Sequence, residues 1–332
     1  EVIGQGHIVS ALQKALHGGS FAHAYLLTGS RGTGKTTIAR IIARELGTTP
    51  ADVYEIDAAS NRGIDDIRDL RDGVHTLPFE SKFKVYIIDE VHMLTKEAFN
   101  ALLKTLEEPP EHVVFILATT ELDKVPDTIV SRCQVFNFKK PTDEMLENLM
   151  ISAADREGYI LEPAAATLIA ILADGSFRDA YGTLQKVLAS VEGKDVSHDH
   201  VVSLTGAPAR TLLHDLLLSL VSGDSATAFS ILARIRDANM DMRIFLKLFI
   251  LFVRSALLVR YASDSSEMIS SIPESDRMLL NKAIENDTRL VITSKLLVRL
   301  LEAYDMTRYA FVPTLPLELA IIDILGKNDA SN

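Results

Sequence analysis

Apolar residues gather in short blocks along the first half of the chain, at 24–27, 53–56, 85–88, 113–118 and 135–138, and recur at helical spacing between them. Uninterrupted apolar blocks of this length predict strands buried on both faces, and the intervening 3.6-residue period predicts helices. Strands alternating with helices give a parallel sheet of five strands covered on both sides. The clearest helix follows Thr95, a suitable N-cap, and carries Ala98, Phe99, Leu102, Leu103 and Leu106 on one face. It must end at Glu107-Glu108-Pro109-Pro110, where two prolines forbid continuation.

Beyond Pro141 the pattern predicts no strand. Amphipathic helices are predicted over 143–157, 163–173, 177–191, 209–222, 224–237, 242–262, 274–286, 289–308 and 314–325. The Gly206-Ala207-Pro208 break divides them. The expected organisation is an α/β part over 1–140, a small helical lid over 141–205, a separate helical domain over 206–326 and a frayed tail over 327–332.

Composition narrows the setting. The 332 residues, 47% of them hydrophobic, suffice for two or three domains. Acidic residues outnumber basic ones by 45 to 34, for a net charge of −11, which excludes a general polyanion binder. Any contact with nucleic acid has to come from a local basic surface or from other subunits. Cys133 is the single cysteine, so neither an internal disulfide framework nor a cysteine-based zinc site is expected, in keeping with a reducing, cytoplasmic setting. No signal peptide is visible, and the most apolar stretch, 244–259, is too short and too charged to span a bilayer because Lys247 and Arg254 interrupt it.

The candidate chemistry begins at Gly29-Ser30-Arg31-Gly32-Thr33-Gly34-Lys35-Thr36, followed by Thr37. This is G-x-x-x-x-G-K-T between a strand block and the helical run Ile38, Ile41, Ile42 and Leu46, the context in which such a loop cradles phosphates. Lys35 would reach the β- and γ-phosphates of ATP, and the Thr36 hydroxyl would hold Mg2+. The strand block at 85–88 ends in Asp89-Glu90. Asp89 would act on the magnesium ion and Glu90 would orient or deprotonate a water, an acid that a hydrolase needs and a phosphotransferase does not. Thr119 and Thr120 close the next strand, either simply as strand residues or as contacts to the γ-phosphate or the water. Arg132, in Ser131-Arg132-Cys133 after a short helix, either complements that helix dipole or serves as an arginine finger for a neighbouring subunit; Cys133 beside it reads as packing. Arg178 stands at the start of a helix, the wrong end for a cation, where it is either paired with Asp174 or Asp179 or turned toward a bound γ-phosphate.

Together, Asp57-Ala58-Ala59-Ser60-Asn61-Arg62-Gly63, Ile87-Ile88-Asp89-Glu90-Val91-His92-Met93-Leu94, Asn100-Ala101-Leu102-Leu103-Lys104-Thr105-Leu106-Glu107-Glu108-Pro109-Pro110, Leu117-Ala118-Thr119-Thr120, Ser131-Arg132-Cys133 and Gly175-Ser176-Phe177-Arg178-Asp179 resemble the gamma/tau subunits of bacterial DNA polymerase III. These are the ATPases of the sliding-clamp loader, in the AAA+ class. The resemblance runs from Val2 to about Asp179; beyond Gly206 it rests on helical character alone. It implies an AAA+ P-loop core with a five-stranded parallel sheet, a helical lid, and an all-α collar that joins subunits into a ring with delta and delta-prime type subunits and other copies of the chain. By the resemblance Lys35 and Thr36 are Walker A residues, Asp89 and Glu90 the Walker B pair, Thr120 the sensor 1 residue with Thr119 the near alternative, Arg132 the finger acting in trans, and Arg178 sensor 2. Val2 and Ile3, in Val2-Ile3-Gly4-Gln5, resemble the segment that lies against adenine.

Two departures stand out. Members of the family usually carry a four-cysteine zinc module where this chain joins Leu46 to Val53 through Gly47-Thr48-Thr49-Pro50-Ala51-Asp52, so no zinc is expected. The chain also ends near Asn332, without the long tau-type extension, so any link to the polymerase is expected to be indirect. The resemblance implies opening of the sliding clamp and its loading on primer-template DNA, with Asn61, Arg62 and Lys96 as candidate DNA contacts. The alternatives are a remodelling AAA+ ATPase acting on protein or branched DNA, a small replication-factor-C-type subunit, and a silent structural subunit of the same ring. The intact Lys35, Thr36, Asp89 and Glu90 argue against the last.

Overall fold

The computed structural model describes residues 3–17, 21–61, 63–262, 269, 272 and 274–326. Val2, Arg62 and the tail at 327–332 lie outside the described residues. Contacts divide the chain into two compact units, Glu1–Val196 and Ser197–Asn332.

The first unit opens with α1 (Gly6–His17), β1 (Ala24–Thr28), α2 (Lys35–Glu45), β2 (Val53–Asp57), α3 (Ile64–Val74), β3 (Lys84–Asp89), α4 (Lys96–Glu107), β4 (Val113–Thr119), α5 (Asp127–Val130) and β5 (Gln134–Asn137). Five parallel strands take the order β2-β3-β4-β1-β5. The central strands β1 and β4 are buried along their whole length, as their unbroken apolar runs require. Successive side chains of a strand point to opposite faces. Leu26, Ile88, Phe115 and Leu117 therefore pack with Ile67, Leu102 and Ile129, while Tyr25, Leu27, Ile87 and Ile116 pack with Ile8, Ile38 and Ile42 on the other face. This order puts β1 between β4 and β5, with Thr28 level with Thr119 and Asn137, so the loop leaving β1 emerges at the carboxyl edge, one strand removed from the end of β3.

The short link that follows α2 is fastened by its own hydrogen bonds. Thr48 N–H donates to Ala43 O, Thr49 N–H to Ser81 Oγ, and the buried Asp52 carboxylate accepts the N–H groups of Phe79, Glu80 and Ser81. Burial by itself would raise the Asp52 carboxyl, but these donors and the Ser81 hydroxyl bring it down to about 2. Its contribution is in place above the ordinary carboxylate value of about 4 and is lost as pH falls through about 2. Asp52→Ala is expected to cost about 1–3 kcal/mol, because three donors lose their acceptor. Urea unfolding at neutral pH checks this; an unchanged midpoint would show that the amides find other partners.

After the sheet come α6 (Asp143–Arg156), β6 (Ile160–Leu161), α7 (Pro163–Ala173), α8 (Phe177–Ser190) and β7 (Asp195–Val196). Thr142 caps α6 by accepting Met145 N–H, and Ser176 caps α8 by accepting Asp179 N–H. The parallel pair β6–β7 is a strand feature the apolar pattern does not announce. Each strand has two residues, too few to show a period, and the pair is held by Ile160 N–H to Lys194 O and Glu162 N–H to Val196 O.

The second unit is helical: α9 (His198–Thr205), α10 (Arg210–Ser222), α11 (Ser225–Asp237), α12 (Met242–Tyr261), α13 (Glu274–Glu285), α14 (Ser294–Met306) and α15 (Leu315–Gly326). The Gly206-Ala207-Pro208 break lies within it, between α9 and α10. Phe245, Leu246, Phe249 and Val253 of α12 form the middle of its core, against Leu216, Leu220, Ile231, Leu300 and Ile321. The helix expected over 289–308 begins only at Ser294. Buried Asp287 takes the N–H groups of Val291 and Ile292 at 2.7 and 2.9 Å and pairs with Arg260 at 2.6 Å, and Leu290 turns to φ 50, so these residues form a tight loop instead of a helical turn. Val298 and Leu301 of α14 and Leu315, Leu319 and Ile322 of α15 remain exposed, with Tyr309 and Phe311 between the helices. Among the described residues no helix is long and apolar enough to cross a membrane.

Candidate nucleotide site

Glycine shapes the loop after β1. Gly32 and Gly34 have φ of 75 and 97, a region that L side chains rarely enter. A Cβ on Gly32 would also stand 2.9 Å from Ser176 Cβ and closer still to its hydroxyl. That close approach lets Phe177 N–H donate to Gly32 O at 2.9 Å, which fastens the first turn of α8 to the loop. Gly34 enters α2 without a side-chain cap, so the first N–H groups of that helix stay open to an anion.

Lys35 is 6% exposed, and its Nζ donates to Gly29 O at 2.8 Å and Ser30 O at 2.9 Å. Gly29 and Ser30 thus serve the site through their carbonyls. Burial lowers the Lys35 pKa; Glu90 and Asp89 pull it back up, and Arg178 presses it down further. At the floor, Thr36 Oγ1 donates to Asp89 Oδ2 at 2.6 Å, while Asp89 Oδ1 accepts Glu90 N–H at 2.9 Å. Two hard oxygens beside a phosphate loop fit magnesium, which takes one or two protein oxygens and completes its shell with phosphate and water. Glu90 has φ 49 and ψ 44, a left-handed conformation that costs a non-glycine residue of order 1 kcal/mol and concentrates at functional sites. Its Oε2 accepts the Thr120 hydroxyl at 3.0 Å.

Gly32, Gly34, Lys35, Thr36, Asp89 and Glu90 line a cavity of about 510 Å³ together with Arg31, Thr33, Thr37, Ile38 and Arg178, and Thr120 reaches it only through Glu90. Its apolar wall is Ile3, Ile41, Leu149, Phe177 and Tyr181, suited to a flat base. Ile3 is brought there because Gln5 pins the segment, donating from Nε2 to Lys139 O at 2.8 Å and accepting Lys139 N–H at 3.2 Å. A second cavity, of about 630 Å³, shares Arg31, Thr36, Asp89, Glu90 and Arg178 and continues past Asp57 to the Arg40–Glu55 pair, joined through two hydrogen bonds of 2.7 Å.

Of the sequence candidates, Arg31, Gly32, Thr33, Gly34, Lys35, Thr36, Thr37, Asp89, Glu90, Arg178 and Ile3 converge on the first cavity. Asp174 pairs with Lys140 at 3.1 Å, and Arg178 lines the cavity. Thr119 is not brought there: it is fully buried, and its hydroxyl donates to Glu121 O at 3.2 Å and faces His92 Nδ1 at 3.0 Å. Arg132 lines neither cavity; it pairs with Glu107 at 2.7 Å and donates to Thr128 O at 2.8 Å on an exposed surface. Burial pushes the Cys133 thiol up to about 12, which suits packing and not chemistry. Asn61 donates to Asp57 O at 3.0 Å in the turn after β2, and Lys96 is exposed at the start of α4. Sequence reasoning missed Ile41, Leu149, Phe177 and Tyr181, since an apolar residue on an amphipathic helix reads as core. Phe177 and Tyr181, one helical turn apart around Arg178, were the available signal.

A family model described as DNA polymerase III, delta subunit, matches residues 49–142. The chain is 41% identical over 283 residues to DNA polymerase III subunit tau of Bacillus subtilis, covering 79% of this chain and 50% of that protein. It is 37% identical over 262 residues to DNA polymerase III subunit gamma of Buchnera aphidicola, covering 73% of this chain and 72% of that protein. The chain thus spans about half the length of the tau relative and most of the gamma relative. Among solved structures, the Thermotoga maritima RuvB Holliday junction branch migration motor is similar in fold, with a TM-score of 0.52 and 24% identity over 66% of this chain and 76% of that one.

Proposed function

Since this chain belongs to the gamma/tau family of DNA polymerase III subunits and folds as an AAA+ ATPase, we propose that it is the ATP-hydrolysing motor subunit of a sliding-clamp loader. One observation carries the hydrolase part: Glu90, a carboxylate free of the metal position, stands at the cavity edge with its Oε2 held by Thr120. Lys35 and the open amides of α2 bind the phosphates, Thr36 and Asp89 hold magnesium, and the wall around Ile3, Phe177 and Tyr181 takes the base. Magnesium, when bound, offsets charge on the β- and γ-phosphates. Glu90 accepts a proton from the attacking water as its oxygen bonds to the γ-phosphorus and the bond to the ADP oxygen breaks. Thr120 is the sensor 1 residue, and Arg178 draws the lid onto the γ-phosphate as sensor 2.

Arg132 serves a neighbouring subunit, where it offsets transition-state charge. The uncovered apolar faces of α14 and α15 support a collar that joins copies of the chain with delta and delta-prime type subunits. In this assignment residues 1–140 form the AAA+ core, 141–205 the lid and 206–326 the collar, and the assembly works in the cytoplasm. ATP and the clamp favour the same arrangement of the ring, so each tightens the other. Primer-template DNA enters the ring through contacts to its phosphates, with Asn61, Arg62 and Lys96 as candidates, and hydrolysis releases the closed clamp.

ATP turnover by the chain assembled with delta, delta-prime and the clamp is expected to rise when primed DNA is added. Turnover indifferent to clamp and DNA would refute the loader assignment and favour a remodelling ATPase.

A further inference from the structure

His92, in the turn after β3, has a side chain only 6% exposed and takes no part in the steps above. Its Nδ1 lies 3.0 Å from Thr119 Oγ1 and 3.5 Å from Glu90 Oε2, and its Nε2 lies 3.4 Å from Glu121 Oε1. The hydrogens follow from the partners. The Thr119 hydroxyl donates to Glu121 O at 3.2 Å and accepts Glu121 N–H at 3.0 Å, which leaves its second lone pair for a hydrogen from His92. Assigned in this way from the network, both ring nitrogens carry hydrogen: Nδ1 on the edge that faces Thr119 and the Glu90 carboxylate, and Nε2 toward Glu121 Oε1, which as a carboxylate can only accept.

Glu90 has need of such a neighbour. Its carboxylate is 30% exposed, and Thr120 supplies one hydroxyl to Oε2. A single hydrogen bond fixes a distance and leaves the carboxylate free to turn about its last bonds. A second N–H 3.5 Å from the same oxygen, on a buried ring whose hydrogen is shared with Thr119 Oγ1, narrows its direction. The far edge of the ring is met by Glu121, which Lys124 grips at 2.7 Å.

We propose that His92 is a positioning residue for Glu90 and that Glu121 anchors its imidazole. His92 touches no phosphate and moves no proton of the reaction; by holding Oε2 together with Thr120 it leaves Oε1 aimed at the place where the water must stand. The anchor belongs to the segment that runs on through Lys124 and α5 to Arg132. Glu90 and the arginine offered to the neighbour are therefore linked within one chain through His92 and Glu121.

The inference rests on the hydrolase reading, and the test separates the two. Parent, His92→Phe, His92→Asn and Glu121→Gln chains are assembled with delta, delta-prime, clamp and primed DNA. The kcat and KM for ATP are measured, with the Kd of a fluorescent ATP analogue for each chain. His92→Phe is expected to lower kcat by about 10- to 100-fold while KM and Kd stay at parent values. Asparagine, whose amide brings an N–H close to the Nδ1 position, should restore most of the rate. Glu121 is on the surface, so Glu121→Gln keeps the fold and should lower kcat by a smaller factor, also without a change in Kd. A His92→Phe chain at the parent rate, or a His92→Asn chain as slow as His92→Phe, overturns the positioning role. If phenylalanine fails to fold, the asparagine and Glu121→Gln chains still decide, and Glu121→Gln at the parent rate overturns the anchor. A parent without turnover overturns the hydrolase reading itself.

Discussion

Arg132→Ala is expected to lower ATP turnover of the assembled ring by about 10³-fold or more, the effect of losing an arginine finger, and to leave nucleotide binding by the separate chain unchanged. The division follows from where the side chain stands. Arg132 lies after α5, tied to Glu107 and to Thr128 O, and lines neither cavity of its own chain. It makes no direct contact with its own nucleotide cavity, so its removal is expected to show mainly where another subunit's site abuts α5. Binding of a fluorescent ATP analogue to the separate chain and steady-state turnover of the full assembly check the two halves. Weakened binding in the separate chain, or undiminished turnover in the assembly, would sink the trans role.

Glu90→Gln should reduce turnover by about 10²- to 10³-fold, the usual worth of a positioned general base. Glutamine keeps the shape and still accepts the Thr120 hydroxyl, so the geometry of the site is preserved. It no longer takes a proton from water. ATP binding should hold or tighten, because a negative charge beside the phosphates has gone. Glu90 is also the larger of the two carboxylate influences that raise the Lys35 pKa against burial, so in the variant that pKa falls further. A Glu90→Gln chain that hydrolyses at the parent rate would mean another group activates the water. One that cannot bind ATP would mean Glu90 holds the loop together instead.

The sheet was legible because its signal is local. Strands buried on both faces have no polar register to confuse, so β1, β3 and β4 fall where the apolar blocks lie. The helices of the second half followed their apolar spacing, with α7 at Pro163–Ala173 where the period put it. What escaped was set by distant partners. The late start of α14 depends on Asp287 reaching its own downstream amides and on Arg260, one whole helix away. Helix α9 carries a single buried residue, Val201, too little for a period to register. At the site, the glycine loop and the acid pair were readable because their spacing is covalent. The choice between Thr119 and Thr120 was not, since both are β-formers at a strand end; Thr120 is favoured for the proposed role because Glu121 and His92 engage Thr119 while the Thr120 hydroxyl meets Glu90.

The bond from Phe177 N–H to Gly32 O and that from Asp179 N–H to the Ser176 hydroxyl occupy amides at the start of α8. A helix start ordinarily draws anions through such groups. Here the lid has given two of them to the loop and to its own cap, so in the proposed role its pull on a phosphate rests mainly on the guanidinium of Arg178. The glycine loop, by contrast, grips through buried Lys35 and the uncapped start of α2. Ions in solution screen a solvated charge far more than a buried one. On the proposed roles, ionic strength is expected to sort the two grips: as salt rises, the hold of Arg178 on the γ-phosphate should weaken before that of the loop, leaving nucleotide bound under an open lid.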